Sequence, residues 1–341
     1  MKKKSVWIFS SWMGKKIIDN PLHFYLWMKE NRKQVRCIWI VKDNSLADEN
    51  SDIYFSLSPK GIYYQFIASV CICSHSIYSD FNPLILLLRR SIYKVQLWHG
   101  APLKKIMSDV QIGLFKAIKQ VLYDRYDLVL SPGPKFTNVI QNAFKVRPSQ
   151  VVTGKSPRIQ PKSKNANFVL YAPTFRDGKD YNYFNNLDFT KLDQILRKIN
   201  KMLLIRLHPS IKAKQNVKDK VECFDNIQID ETEDVYDILP HVSILISDYS
   251  GIIFDFLHYK RPIIYAPFDL EEYVSKTRGV YFDYDDISVR PLAYSWDEIC
   301  IQLKDINSYD YSRLNLLNQL YCCNEDSVND ALFERINSAV S

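Results

Sequence analysis

Short apolar runs alternate along the whole chain with longer segments of helical period, and this rhythm constrains the fold more than any motif does. It belongs to stacked βαβ units, whose parallel strands are buried on both faces and joined by crossover helices. In the first half, Val6–Phe9, Cys37–Val41, Ile53–Ser56, Ala68–Cys73, Tyr93–Trp98, Leu128–Ser131 and Val151–Thr153 read as strands. Phe168–Ala172, Met202–Leu207, Ile227–Ile229, Ile244–Ser247 and Pro262–Ala266 repeat the pattern in the second. Two doubly wound α/β domains are therefore expected, residues 1–160 and 161–310, with the polar, proline-bearing stretch Pro157–Ala166 as the linker. The 341-residue length agrees with two domains of about 100–200 residues each. Residues 311–341 keep a helical period without a further strand and are expected to pack back across the domains.

Composition removes several functions. The chain has only nine glycines and contains neither GxGxxG nor GxxxxGK[ST], so the common dinucleotide and P-loop fingerprints are absent. Its seven cysteines show no CxxC pair and no zinc or disulfide spacing, which suits a reducing cytosol. The opening Met1–Lys4 and Val6–Phe9 imitate a signal peptide, but Lys15-Lys16 follow at once and the run reads as a buried first strand. No stretch approaches the ~18–20 apolar residues that span a bilayer, so membrane contact would be peripheral. Residues 1–160 carry 24 Lys/Arg against 10 Asp/Glu, a surplus of 14, whereas residues 161–341 carry 21 against 28, a deficit of 7. A basic half suits a polyanion or an anionic membrane surface, and a plain solvated surface is the alternative. No nucleic-acid-binding pattern accompanies the charge.

Ligands of open parallel sheets bind beyond the carboxyl ends of the strands, so polar residues just after predicted strands are the candidates. Trp98-His99-Gly100-Ala101-Pro102-Leu103-Lys104-Lys105 offers an imidazole suited to deprotonating a hydroxyl, a turn at Gly100 and a helix opening at Pro102. A histidine bonded to a neighbouring carbonyl is the competing reading. Thr174, Arg176 and Asp177 follow the Phe168–Ala172 run, with a guanidinium fork that fits phosphate or pairs with a carboxylate. Arg206, His208 and Pro209 end another run, with Arg206 and His208 expected on one face. Ser247-Asp248-Tyr249-Ser250-Gly251 leads straight into an apolar helix containing Asp255, a phosphate site or a plain helix cap. Arg278 lies in a later loop. Asp283-Tyr284-Asp285 matches the DxD of metal–nucleotide sites but reads as a chance occurrence. Leu114-Phe115, Ile118 and Val121-Leu122 form a stripe that faces the core or, alternatively, a membrane.

Taken in order, these segments resemble the CDP-glycerol glycerophosphotransferase family of teichoic-acid primases and polymerases. The carrying residues are Trp98 to Lys104, Tyr171 to Asp177, Arg206 to Pro209, Ser247 to Gly251 with Phe254-Asp255-Phe256 and Arg261-Pro262, Asp269 to Tyr273, and Arg278 to Asp283. Phe9 to Lys15 and Asp19-Asn20-Pro21 are similar to the family's opening. The resemblance implies a GT-B fold, two Rossmann-like domains facing a cleft, and transfer of glycerol or ribitol phosphate from a CDP-alditol to a hydroxyl of a lipid-linked, undecaprenyl-type saccharide or of a growing teichoic-acid-like or capsule polymer, with release of CMP.

By the same resemblance His99 is the base, and His208 shares the catalytic role. Thr174, Arg176, Asp177, Arg206, Pro209, Ser247, Asp248, Ser250, Gly251, Asp255 and Arg278 hold the donor, while Gly100, Lys104 and Lys105 face the acceptor and membrane. No cofactor is firmly implied; Mg²⁺ is compatible with the sequence. Gly251 departs from the family by replacing a serine, and Ala101 by replacing a threonine. A nucleotide-sugar glycosyltransferase, or an inert polyanion- or membrane-binding protein, are the alternatives. Six of the nine glycines (Gly14, Gly100, Gly154, Gly178, Gly251, Gly279) flank these segments or strand-end turns, with Gly251 expected to mark the donor site.

Overall fold

A computed structural model describes residues 5–89, 91–110, 125–176, 181–208, 214–276, 279–323 and 328–341. Its twelve strands fall on the twelve apolar runs: β1 (Ser5–Phe9), β2 (Val35–Val41), β3 (Ile53–Phe55), β4 (Val70–Cys73), β5 (Tyr93–Gln96), β6 (Leu128–Ser131), β7 (Val151–Thr153), β8 (Phe168–Ala172), β9 (Met202–Ile205), β10 (Ile227–Ile229), β11 (Val242–Ser247) and β12 (Ile263–Tyr265). They form two sheets, β3-β2-β1-β4-β5-β6-β7 and β10-β9-β8-β11-β12. Every pairing is parallel. In both sheets the chain starts in the middle, winds outward one way and then crosses to wind the other. The switch points lie between β1 and β4 and between β8 and β11, where such folds bind ligands.

The chain divides into two units, residues 1–101 with 106–159 and 323–341, and residues 102–105 with 160–322. The first unit's core stacks Phe9 on Trp39 and sets Phe9 edge-on to Tyr25, the last from the Asp19–Asn31 helix. The C-terminal helix Asn329–Val340 belongs to this core, burying Leu332, Phe333 and Ile336. The second unit packs Leu192, Ile195 and Leu196 of one helix, and Trp296, Ile299 and Leu303 of another, against β8, β9 and β11.

The 311–341 segment is thus divided between the units: the Tyr311–Tyr321 helix goes with the second and the Asn329–Val340 helix with the first. Most strands differ from the sequence reading by one or two residues at a bound, and two of them end two residues early. β5 stops at Gln96 and β9 at Ile205, because Trp98 turns with φ 54° and residues 206–208 leave the ladder. Pro102 opens no helix; Lys104 instead bridges Val280 antiparallel. The apolar stripe at 114–122, Asp177, Gly178, Pro209 and Arg278 lie outside the described residues.

Candidate active site

At the first switch point the loops after β1, β4 and β5 carry the chemistry. His99, three residues past the end of β5, points Nδ1 at the Ser74 carbonyl oxygen, 2.9 Å away. A carbonyl only accepts, so Nδ1 carries the proton and Nε2 keeps its lone pair. Burial, only partly offset by the Ser74 carbonyl and Asp19, holds the His99 pKa below the ordinary imidazole value. A neutral imidazole with a free Nε2 is the state a general base requires.

The scaffold around it is over-determined. The His99 ring stacks on His75 with centroids 4.4 Å apart and planes 16° apart, and His75 lies beside Trp12 at 5.2 Å. Asn20 donates from Nδ2 to the Leu97 and Trp98 carbonyls, both at 3.0 Å, pinning the turn that leads into His99. Gln96 accepts from the Trp98 amide and donates to the His75 carbonyl, both at 2.8 Å. Asp19, with φ 74°, forms a buried ion pair with Arg158 at 2.7 Å. Gly100 needs its φ of 148°, and a Cβ there would come 3.2 Å from the Arg158 guanidinium. None of His75, Asp80 and Arg158 belongs to a recognisable motif. Only the position of Ser74-His75 immediately after a strand could have signalled the first of them.

The second switch point is organised around Arg176 and not around a free guanidinium. Arg176 donates from Nε and Nη2 to both oxygens of Asp269, 2.8 Å each, and from Nη2 to Asp248, also 2.8 Å. Nη1 donates to the Thr174 carbonyl, and the rings of Tyr181, Tyr249 and Tyr273 lie around the guanidinium at 4.9–5.0 Å. Burial opposes its charge, but Asp269 and Asp248 outweigh that and raise its pKa. Arg176 is therefore a clamp between loops, with Nε and Nη2 committed to carboxylates and Nη1 to a carbonyl. Asp248 also accepts the Thr174 amide at 2.8 Å and the Tyr249 amide at 2.6 Å, joining the loops after β8 and β11.

Other expected donor residues are likewise structural. Ser247 is fully buried and donates to the Ala172 carbonyl at 2.7 Å, tying β11 to β8. Asp255 is buried and accepts the Tyr236 hydroxyl at 2.5 Å. Arg206 is bonded to Asp230, to the Thr232 hydroxyl and carbonyl and to the Glu233 carbonyl, so its guanidinium is committed within the second unit. His208 is exposed and stacks on Phe175 at 4.9 Å. Gly251 adopts φ −59°, ψ −18°, open to any residue, ahead of a helix of only six residues, Ile252–Leu257. Ser250 accepts the Ile252 amide through Oγ at 3.4 Å. Thr174, Arg206, Ser250 and Gly251 are half-buried and His208 is exposed.

Lys104 and Lys105 belong to the second unit. Lys104 sits 5.0 Å over the Tyr273 ring, and the Lys105 amide donates to the Gly279 carbonyl at 3.0 Å. Asp285 of the DxD is paired with Arg290 at 2.6 Å, and among the described residues no three His, Cys, Asp or Glu side chains converge to hold a metal.

Two doubly wound parallel sheets define a two-unit α/β protein with the GT-B fold. The model of the CDP-glycerol:poly(glycerophosphate) glycerophosphotransferase family matches residues 1–337, and the chain belongs to that family. It is 27% identical over 348 residues to the teichoic acid poly(glycerol phosphate) polymerase of Bacillus subtilis (strain 168), covering 91% of this chain and 45% of that protein. The teichoic acid glycerol-phosphate transferase of Staphylococcus aureus is also 27% identical, over 96% of this chain and 91% of that protein. The structure of the wall teichoic acid polymerase TagF superposes with a TM-score of 0.81 at 21% identity, covering 99% of this chain and 89% of that chain. A UDP-N-acetylglucosamine 2-epimerase from Listeria monocytogenes shares the fold with a TM-score of 0.61 at 10% identity. The fold alone thus does not choose between alditol and sugar nucleotides.

Proposed function

We propose that the protein transfers glycerol phosphate or ribitol phosphate from a CDP-alditol to a hydroxyl of a lipid-linked acceptor in teichoic-acid-type polymer synthesis, releasing CMP. The observation that carries this reading is the family match over residues 1–337; His99, neutral, with Nδ1 bonded to a carbonyl and the Nε2 lone pair kept, has the geometry of a base as well as that of a structural histidine. The acceptor hydroxyl gives its proton to Nε2 as its oxygen bonds to the β-phosphorus. The phosphoanhydride bond then breaks, and CMP leaves with the electron pair. An arrangement of this kind contributes about 10²–10⁴-fold to rate. Thr174, His208, Ser250 and the backbone at Gly251 are the second unit's contacts to the donor diphosphate in this reading. Gly100, in the first unit, is the acceptor-side residue that fits this reading, whereas Lys104 and Lys105 group with the second unit.

The reading includes peripheral contact with an anionic membrane. The Pro59–Ile67 helix packs beside the Pro83–Leu88 helix, and the pair exposes Ile62, Phe66, Leu84 and Leu88, the last two at 70% and 78%. Arg89 lies over the Phe66 ring of this face at 5.5 Å, in the half of the chain with the surplus of 14 positive charges. Among the described residues no helix is long and apolar enough to cross a membrane.

Incubation with CDP-glycerol, CDP-ribitol and UDP-sugars plus a lipid-linked disaccharide tests the function. CMP release with either CDP-alditol is expected. UDP release alone would establish the sugar-nucleotide alternative, and no turnover with any donor would favour a binding protein. Leu84→Glu/Leu88→Glu is expected to leave CMP release from a water-soluble acceptor unchanged while abolishing flotation with phosphatidylglycerol vesicles. Undiminished flotation would refute the membrane face.

A further inference from the structure

Asp80 lies outside every motif and is fully buried, yet its carboxylate receives three backbone N–H groups from two different loops. Met13, after β1, donates to Oδ1 at 2.8 Å, and Ser74 and His75, after β4, donate to Oδ2 at 3.3 and 3.1 Å. The peptide that Asp80 grips is therefore the one whose carbonyl oxygen, that of Ser74, orients His99. The next residue along supplies the ring on which His99 stacks. Ser10 Oγ donates to the Asp80 carbonyl at 3.0 Å, so the β1 loop is fastened to this residue twice. A carboxylate suits this place better than an amide would, because an anion with two acceptor oxygens can satisfy three converging donors.

We infer that Asp80 is a positioning residue for His99: by fixing the Ser74-His75 turn it selects the His99 tautomer that leaves Nε2 unprotonated. The inference rests on the proposed role of His99 for its kinetic consequence only; the tautomer itself is a property of the folded chain. Among the described residues the charged and titratable groups around the carboxylate are His75 on the gripped turn and Lys42 beyond β2, with His99 behind His75. Lys42 Nζ donates to the Tyr78 carbonyl at 3.3 Å, and Asp80 is left with backbone donors as its direct partners among the described residues.

Asp80→Asn keeps the shape and replaces one acceptor oxygen by a donor. In ¹⁵N-histidine-labelled protein at pH 7.5, wild type is expected to show His99 as the Nδ1–H tautomer, and Asp80→Asn to populate the Nε2–H form. With CDP-glycerol, kcat of Asp80→Asn is expected to fall at least tenfold with the donor KM within twofold of wild type, and Asp80→Glu, which restores an anionic acceptor, to recover part of that loss. A wild-type His99 in the Nε2–H form overturns the inference without any variant being needed. So does an unchanged tautomer in a folded Asp80→Asn, or a kcat loss that Asp80→Glu does not relieve. A tautomer change in Asp80→Asn, with no nucleotide released by wild type from any donor, would uphold the positioning role and reject the transferase reading.

Discussion

Each of the two sheets closes its switch point with a buried aspartate that collects backbone N–H groups from the loops on either side, Asp80 in the first unit and Asp248 in the second. The surroundings of the two differ. Asp248 is matched by Arg176, which Asp269 also grips with two hydrogen bonds, so the second crevice is braced by a charge-neutralised cluster. Asp80 has no such ion pair among the described residues, and burial pushes its pKa up to about 6 against its three backbone donors and Lys42. The same topological position has thus been used for a permanent clamp in one unit and for a support that titrates near neutrality in the other. The contrast fits the roles proposed for the two units, binding a polyphosphate in the second and holding a neutral base in the first.

Arg176→Met is the severest way to break this contrast. It leaves Asp248 and Asp269 buried without their cation, and removing one partner of such a pair costs about 3–5 kcal/mol. Calorimetry is expected to show an early transition of the second unit. A variant that melts with wild type would mean that the cluster is not a clamp.

The titration of the first crevice gives the next effect. His75 is pushed down to about 4, by burial and then by His99. Because its folded pKa lies below the free value of about 6.5, its contribution to stability is complete above that value and is lost as pH falls through 6.5 toward 4. Asp80 has the opposite sign. Its folded pKa lies above the free value of about 3.9, so its contribution is complete below that and is lost as pH rises toward about 6. Between pH 6 and 4 the two oppose each other. Protonation of Asp80 at the same time removes an acceptor from the turn that orients His99. Transfer rate is therefore expected to fall about tenfold per pH unit below 6 while the melting temperature changes little. Parallel losses of rate and melting temperature over that range would contradict this pairing of signs.

Gly251→Ser tests the quietest place in the second crevice. The right-handed backbone there accepts any residue, so a change within about 0.5 kcal/mol in unfolding free energy is expected by denaturant titration. A larger loss would show that the absence of a side chain is required for packing.

The sequence exposed the architecture more fully than the chemistry. Every strand was legible because a parallel strand buried on both faces must be a short continuous apolar run. The ends of β5 and β9 were not, since Leu97 and Leu207 continue the apolar run after the backbone has left the ladder. His99 was legible from its place after a strand beside a glycine. Arg176 and Arg206 read equally well as phosphate ligands, because a guanidinium fork fits phosphate and carboxylate alike. Their partners Asp269 and Asp230 lie 93 and 24 residues away. Gly251 looked like a conformational requirement because the chain is poor in glycine, yet its backbone makes no such demand. Asp80 gave no local sign at all, since its function depends on N–H groups from two loops that only the fold brings together.

The most direct test of the division of labour between the two crevices is a paired measurement on His99→Ala: the dissociation constant for CDP-glycerol and the rate of CMP formation in a single turnover with a lipid-linked acceptor. The predicted result is a dissociation constant within threefold of wild type and a rate lowered about 10²–10⁴-fold. CMP formation at the wild-type rate, or loss of donor binding in step with the rate, would contradict the assignment of His99 as the base.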